Sequence, residues 1–376
     1  MAKLLFLVSS LEGGGAERIA CVLCNAWAKS GHDVTLMATF SGRGSSAYTI
    51  SDRVLVDHLA DHVNGSVGRI RRLLTLGRRI RAIEPDIVIS FLPLVNIAAV
   101  LGTLGTRIPV IICERIYPPA HSPPLTAIQN RLRQWLYPWA DAIVGQTNEV
   151  RDWLKLRFPT ANVQVVANPV TLPLPKTPPA LDPAEFTKQG RHLILAVGRL
   201  DPQKRFNLLL DAFQEIAGDV PDWDLAILGA GPEHPRLEQQ ILQLELSDRV
   251  LMPGFSGNLG DWYNRADLFV LPSESEGFPN AMLEAMAHGM ACIAFDVKTG
   301  PADISDNGQR AVLLKDSNHI ERLADAMKHL ITHKPDRHAL GQRAMSVSED
   351  YSLENILQSW DELIANVIGP ERWHGL

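Results

Sequence analysis

Two segments of this 376-residue sequence set fixed charges beside glycines, a combination suited to a phosphorylated ligand. In Val197-Gly198-Arg199-Leu200-Asp201-Pro202-Gln203-Lys204-Arg205, Arg199 and Lys204 follow a short apolar run. Two permanent cations there suit a diphosphate, the arginine as a fork of donors and the lysine as a mobile point charge. In Ser273-Glu274-Ser275-Glu276-Gly277-Phe278-Pro279-Asn280-Ala281-Met282-Leu283-Glu284, a loop carries Glu276 and a helix is expected to start near Asn280. First-turn amides of that helix can hold a phosphate. Glu284 lies just over one turn in, and a carboxylate accepts paired hydroxyls well, so Glu276 and Glu284 can grip a sugar and a ribose. Read alone, a glutamate near a helix start is equally a dipole-complementing residue.

A third segment, Leu11-Glu12-Gly13-Gly14-Gly15-Ala16-Glu17-Arg18, falls between the first expected strand and the first helix. Glycines let backbone approach a ligand and a helix N-terminus offers free amides; a bare tight turn explains the same residues. A dinucleotide fingerprint is excluded on two counts. Arg18 stands where G-x-G-x-x-G needs its last glycine, and Met37-Ala38-Thr39-Phe40 ends the second strand without an acidic residue. Asp201 and Asp303 are isolated, so no metal or other cofactor is expected.

These segments need elements to position them. Short apolar runs alternate with helical-period segments, as in βαβ units with parallel sheets. Strands are expected at 4–8, 34–38, 87–91, 110–113, 142–144 and 163–166, and then at 192–197, 225–228, 250–252, 268–271, 292–295 and 311–314. Between the two sets, six prolines fall in the 15 residues from Pro169 to Pro183, marking a linker. The expected organisation is a first α/β domain over 1–168, a linker over 169–190, and a second domain over 191–350. Open sheets of this kind bind ligands outside the carboxyl ends of their strands.

Composition fits two soluble globular domains, 46% hydrophobic and 21% charged. No run approaches the roughly 20 apolar residues of a membrane span. The opening MAKLLFLVSSLEGGG reads as a first strand rather than a signal peptide, so a cytoplasmic protein is expected. Cys21 and Cys24 form a C-x-x-C inside a helical pattern with no matching second pair, which reads as core packing. The net charge of −6 is uneven: residues 1–169 hold 18 Lys and Arg against 12 Asp and Glu, a net +6, and residues 170–376 hold 18 against 30, a net −12. A basic half suggests an anionic partner, or a surface asymmetry without function; no nucleic-acid partner is expected.

The resemblance is carried by Glu276 and Glu284 as E-x7-E within EGFPNAMLEAMAHG, the GRLDPQKR loop, the turn Leu228-Gly229-Ala230-Gly231-Pro232, and the early GGGAER. Together they resemble the GT-B family 4 glycosyltransferases over nearly the whole chain, most strongly from about 190 to 310. The resemblance implies two Rossmann-like doubly wound domains facing a central cleft and retaining transfer from a nucleoside-diphosphate sugar, with UDP as the default nucleotide. It implies that Arg199 and Lys204 hold the diphosphate, Glu276 contacts the donor sugar and Glu284 the ribose. Gly14 and Gly15 would approach the phosphate or sugar, and Gly254-Phe255-Ser256 would lie beside the base. Gly277, Phe278, Asn280 and Ala281 would complete the donor pocket. A final helix within 351–376 would pack back on the first domain. Leaving-group charge would be stabilised electrostatically without a metal, and the acceptor would attack from the leaving-group face.

One departure concerns the first domain. Many relatives carry a histidine after the fourth strand; here Glu114-Arg115-Ile116-Tyr117-Pro118 follows residues 110–113, with no histidine before His121. This E-R-x-x-P form resembles the branch acting on polyprenyl-diphosphate-linked oligosaccharides and envelope glycans. Glu114 is a catalytic candidate with Glu276, Arg199 and Lys204, and Arg115 an acceptor-side one; a structural salt bridge is the plainer account of both. VGRIRRLLTLGRRIRAIEPD predicts a basic amphipathic helix, with Arg71, Arg72, Arg78 and Arg79 on one face and Ile70, Leu73, Leu76, Ile80 and Ile83 on the other. It suits a lipid diphosphate or anionic bilayer, or a solvated outer face. Leu125, Ile128, Leu132, Trp135 and Leu136 form a second apolar stripe, with Tyr137 and Trp139 behind; interface and core packing explain it about equally. The expected partners are thus a nucleotide-sugar donor, a lipid-linked glycan acceptor and the inner face of the cell membrane. The alternatives are a soluble glycosyltransferase, a nucleotide-sugar epimerase and a silent glycan-binding subunit.

Overall fold

A computed structural model of the chain describes residues 1–40, 46–63, 68–120, 124–315 and 319–374. They form two compact units, Met1–Pro169 with Glu354–Leu376, and Val170–Leu353.

In the first unit seven parallel strands stand in the order β3-β2-β1-β4-β5-β6-β7: β1 (Lys3–Val8), β2 (Asp33–Ala38), β3 (Val54–His58), β4 (Ile87–Phe91), β5 (Val110–Cys113), β6 (Ala142–Gly145) and β7 (Val163–Val165). The inner strands read as unbroken apolar runs because helices cover both faces; β4 and β5 are buried at every residue. The edge strand β3, absent from the sequence expectation, exposes Leu55 and Val56 and so lacks that signal. Cys21 and Cys24 are buried in the helix Gly15–Lys29, where burial pushes the Cys21 thiol up to about 12. Helix Leu353–Ile368 returns to this unit, with Trp360 fully buried 6.0 Å from Trp27 and 6.4 Å from Phe91.

The second unit has six parallel strands in the order β10-β9-β8-β11-β12-β13: β8 (His192–Val197), β9 (Trp223–Leu228), β10 (Val250–Gly254), β11 (Leu268–Leu271), β12 (Ala291–Phe295) and β13 (Val312–Leu314). Strand order reverses between β8 and β11, the switch point at which such sheets open a crevice. The proline-rich segment expected as a linker is stitched to this unit instead. Thr177 N–H donates to Gly257 O at 3.0 Å, Gly257 N–H to Pro179 O at 2.7 Å, and Trp262 Nε1 to Leu181 O at 3.0 Å. Proline density removes regular structure but leaves carbonyls that accept from a neighbour.

Candidate functional site

The candidate donor residues gather where β8 and β11 end side by side. Beyond β8 the chain turns through Arg199 into the short 3-10 helix Pro202–Lys204; beyond β11 it runs through Ser273 to Glu276 and into the helix Asn280–Ala287. The two loops are joined by backbone: Glu274 N–H donates to Gln203 O at 2.9 Å, and Gln203 Nε2 to Ser275 O at 2.6 Å. Across this seam Lys204 Nζ donates to Glu276 Oε1 at 2.7 Å. Glu276 is buried, and its backbone carbonyl accepts from the Thr299 hydroxyl. Glu284 is also buried and accepts from the Tyr263 hydroxyl at 3.1 Å. Arg199 stands apart, 78% exposed and paired with Asp201 at 2.6 Å. Beyond the strand ends the buried Ser273 Oγ and Asp201 Oδ1 have no hydrogen-bond partner among the described residues.

Glycines fix this surface. A Cβ on Gly229, at φ +147°, would lie 1.8 Å from Gly198 O, and one on Gly231 would lie 2.3 Å from Leu200 O. The turn after β9 therefore packs directly on the backbone that carries Arg199. Gly254, at φ +97°, accepts from Gly229 N–H at 2.9 Å, and Phe255 beyond it is exposed. Phe278 is buried 6.0 Å from Tyr351, Gly277 precedes it, and Asn280 and Ala281 open the helix. Sequence reasoning missed Gln203, Tyr263, Ser273 and Thr299. Thr299 alone carried a local signal, in the K-T-G-P turn after β12.

In the first unit Gly13 and Gly14 adopt φ of +147° and +131°, and the helix begins at Gly15. The Gly14 amide is engaged by the Tyr48 hydroxyl, which accepts from Gly14 N–H at 2.9 Å and donates to Gly14 O at 2.8 Å. Tyr48 thus occupies an amide that the sequence reading offered to a ligand. Glu17 is buried and accepts from Ser9 Oγ at 2.8 Å.

Glu114 and Arg115, directly after β5, are both buried. Glu114 Oε1 accepts from the Tyr137 hydroxyl at 2.7 Å and lies 3.9 Å from Arg133. Asn96, held by Ser90, donates to Tyr137 and to Cys113 O. Arg115 lies over the Phe91 ring at 4.0 Å and donates to Asn168, and burial lowers its guanidinium to about 10. Arg115 is as buried as Glu276, and its side chain is enclosed by aromatic and amide neighbours rather than presented on an open surface. His121 lies outside the described residues.

The basic helix forms as Arg69–Ile83, but its faces differ from the expected ones. Arg79 donates to Asp57 at 2.7 Å and Arg72 to Phe40 O at 3.1 Å, so both reach sideways into their own unit. Arg71 and Arg78 are exposed, and Ile70, expected in the buried stripe, is 76% exposed. The inner face is Leu76, Ile80 and Ile83. In the second stripe Leu136 and Tyr137 enter the core while Ile128, Trp135 and Trp139 stay exposed.

Doubly wound parallel sheets with charged loops at a switch point define the class of Rossmann-like nucleotide-binding proteins. Glycosyl transferases group 1 matches residues 180–347, and Glycosyltransferase Family 4 matches residues 13–172. The chain belongs to the family 4 glycosyltransferases of the GT-B fold and is a glycosyltransferase enzyme. It is 28% identical to the amylovoran biosynthesis glycosyltransferase AmsD of Erwinia amylovora, over 97% of this chain and 100% of that one. It is 26% identical to the Campylobacter jejuni GalNAc-alpha-(1->4)-GalNAc-alpha-(1->3)-diNAcBac-PP-undecaprenol alpha-1,4-N-acetyl-D-galactosaminyltransferase, over 98% and 99%. Anabaena HepE in complex with UDP and glucose shares the fold, with a TM-score of 0.79 at 18% identity over 97% of this chain and 100% of that one.

Proposed function

We propose that the protein transfers a hexose or N-acetylhexosamine, with retention, from a nucleoside-diphosphate sugar to a lipid-linked or envelope glycan at the cytoplasmic face of the membrane. The observation that carries the donor half is the Lys204–Glu276 pair at the switch point. A donor diphosphate competes with Glu276 for Lys204, which frees the glutamate to accept from sugar hydroxyls as the cation turns to the leaving group. Arg199, exposed and paired with a neighbouring carboxylate, adds the second cation. The Asn280–Ala287 N-terminus adds backbone donors, and Glu284, oriented by Tyr263, takes the ribose. Charge on the departing diphosphate is met by fixed cations and amides, so no metal is required in this scheme. In this reading Glu276 binds rather than attacks, and the acceptor enters on the leaving-group face. UDP is favoured because HepE binds UDP and glucose, and a lipid-linked acceptor because the Campylobacter relative is named for an undecaprenol-diphosphate substrate. Surface arginines such as Arg71 and Arg78 support a membrane-facing acceptor side, each contributing about 1 kcal/mol near an anionic leaflet.

The test is a panel of UDP- and GDP-sugars with a polyprenyl-diphosphate glycan, the product anomer being read by NMR. Glu276→Ala and Lys204→Ala are each expected to lower turnover about 10²–10³-fold, the scale of one lost transition-state partner. Full activity in Glu276→Ala overturns the site; an inverted product overturns retention.

A further inference from the structure

The first unit exposes large apolar side chains on two helices that flank a third. Helix Pro93–Thr103 packs between Arg69–Ile83 and Ala127–Leu136 on one face of the first sheet. The first crossing is close at Gly102, where a Cβ would sit 2.7 Å from Ile80 Cδ1. From the outer sides project Ile70 (76% exposed) and Leu74 (57%), and Ile128 (72%), Trp135 (69%) and Trp139 (63%). Ile128 and Trp135 are seven residues apart, on one side of their helix, and Trp139 follows in the next turn. Arg71, Arg78 and Arg81 are exposed beside Ile70 and Leu74, and Arg131 beside Ile128 and Trp135. None of the three helices contains an Asp or Glu.

We infer that this face docks on an anionic lipid bilayer, with the Ala127–Leu136 helix and the turn after it as the aromatic anchor and the Arg69–Ile83 helix as the electrostatic one. The inference rests on the membrane-facing reading proposed above and adds the element that inserts. Indole rings prefer the headgroup boundary, where their apolar body and N–H are both satisfied. Arginines with no carboxylate among them, set around apolar side chains, match the uniformly negative headgroup layer of an anionic leaflet. The absence of carboxylates from all three helices removes repulsion from such a surface. Thr126 and Gln129 close a capping box that fixes where the tryptophan helix starts, so its outward side is set by local sequence.

The experiment measures co-sedimentation of the full chain with phosphatidylglycerol-rich vesicles and with pure phosphatidylcholine vesicles, at low and high salt. The protein is expected to bind the anionic vesicles and to release in part as salt screens the arginines. Trp135→Ser with Trp139→Ser is expected to weaken binding on the order of tenfold per residue, from the lost apolar burial. Arg71→Ser with Arg78→Ser and Arg81→Ser is expected to remove the preference for anionic lipid. Unchanged binding by the tryptophan double variant overturns the inference, as does a concentration-dependent dimer in light scattering that this variant abolishes. Circular dichroism confirms that each variant is folded. Sugar transfer in detergent, read in parallel, keeps the outcomes apart. Transfer without vesicle binding sinks this docking surface alone, and vesicle binding without transfer sinks the proposed reaction.

Discussion

Lys204 and Glu276 neutralise each other across 2.7 Å, so each has a partner before any ligand arrives. Burying either charge alone would be expensive, which explains how two charged side chains can sit at the sheet's switch point without destabilising it. Asp57 shows the same logic away from the donor residues. Burial opposes its ionisation, but hydrogen bonds and charge from Arg79 and His62, each at 2.7 Å, more than offset this and hold its carboxyl below the usual range. A carboxyl lowered on folding stabilises the native state above its unfolded value, and that stability disappears as pH falls through the folded value. Asp57→Asn is therefore expected to destabilise the protein at neutral pH by about 1 kcal/mol, a charged hydrogen-bond pair discounted for its partly exposed partners. Urea melts at descending pH should show the gap to the unsubstituted protein closing in acid. A gap independent of pH would mean that Asp57 acts by packing alone.

At the scale of elements, backbone contact rather than side-chain chemistry sets the donor surface. Gly229→Ala is expected to destabilise the second unit by at least about 2 kcal/mol, because the new methyl meets the fixed Gly198 carbonyl as well as the strain of a positive φ. Gly190→Ala, at φ +80° in open space, should cost only about 1 kcal/mol. Chemical denaturation of both variants, with UDP binding by calorimetry, checks the contrast; equal costs would place the constraint in φ alone. This contact could not be read from the sequence, since Gly198 and Gly229 lie on adjacent strand ends far apart in the chain. What was legible was whatever repeats locally. Runs such as Leu4 to Val8 are buried on both sheet faces and announce themselves, as did the helix start at Asn280. Val54–His58 was not legible because two of its five residues face solvent, and Arg72 and Arg79 read as solvent-facing because their partners, Phe40 and Asp57, sit well upstream. The E-x7-E pair and the GRLDPQKR loop were visible as motifs, whereas Tyr263 and Tyr48 are hydroxyls with no pattern of their own.

At the scale of the molecule, each of the two units closes its own core, and the first does so with a segment from the far end of the chain. Trp360 stacks edge-on to Trp27 and lies near Phe91 of β4, while Trp27 Nε1 donates to Asp361 at 3.0 Å. Trp373 adds a second edge contact to Trp27, 6.3 Å away, and stacks on His32 at 4.0 Å. The first unit is thus finished only when residues 354–374 are in place, which ties its stability to a helix that follows the whole second unit in sequence. Trp360→Ala leaves a large void in that aromatic cluster and is expected to cost about 3–5 kcal/mol. For a unit of this size each kcal/mol lowers the midpoint by roughly 2–4 °C, so a fall on the order of 10 °C is expected. The consequence for cooperativity is specific. In differential scanning calorimetry the transition that UDP raises belongs to the second unit under the proposed donor assignment. It should stay where it is in Trp360→Ala while the other transition moves down. If both fall together, the units unfold as one and the C-terminal helix stabilises the entire chain; if neither moves, the aromatic cluster is not what completes the first core.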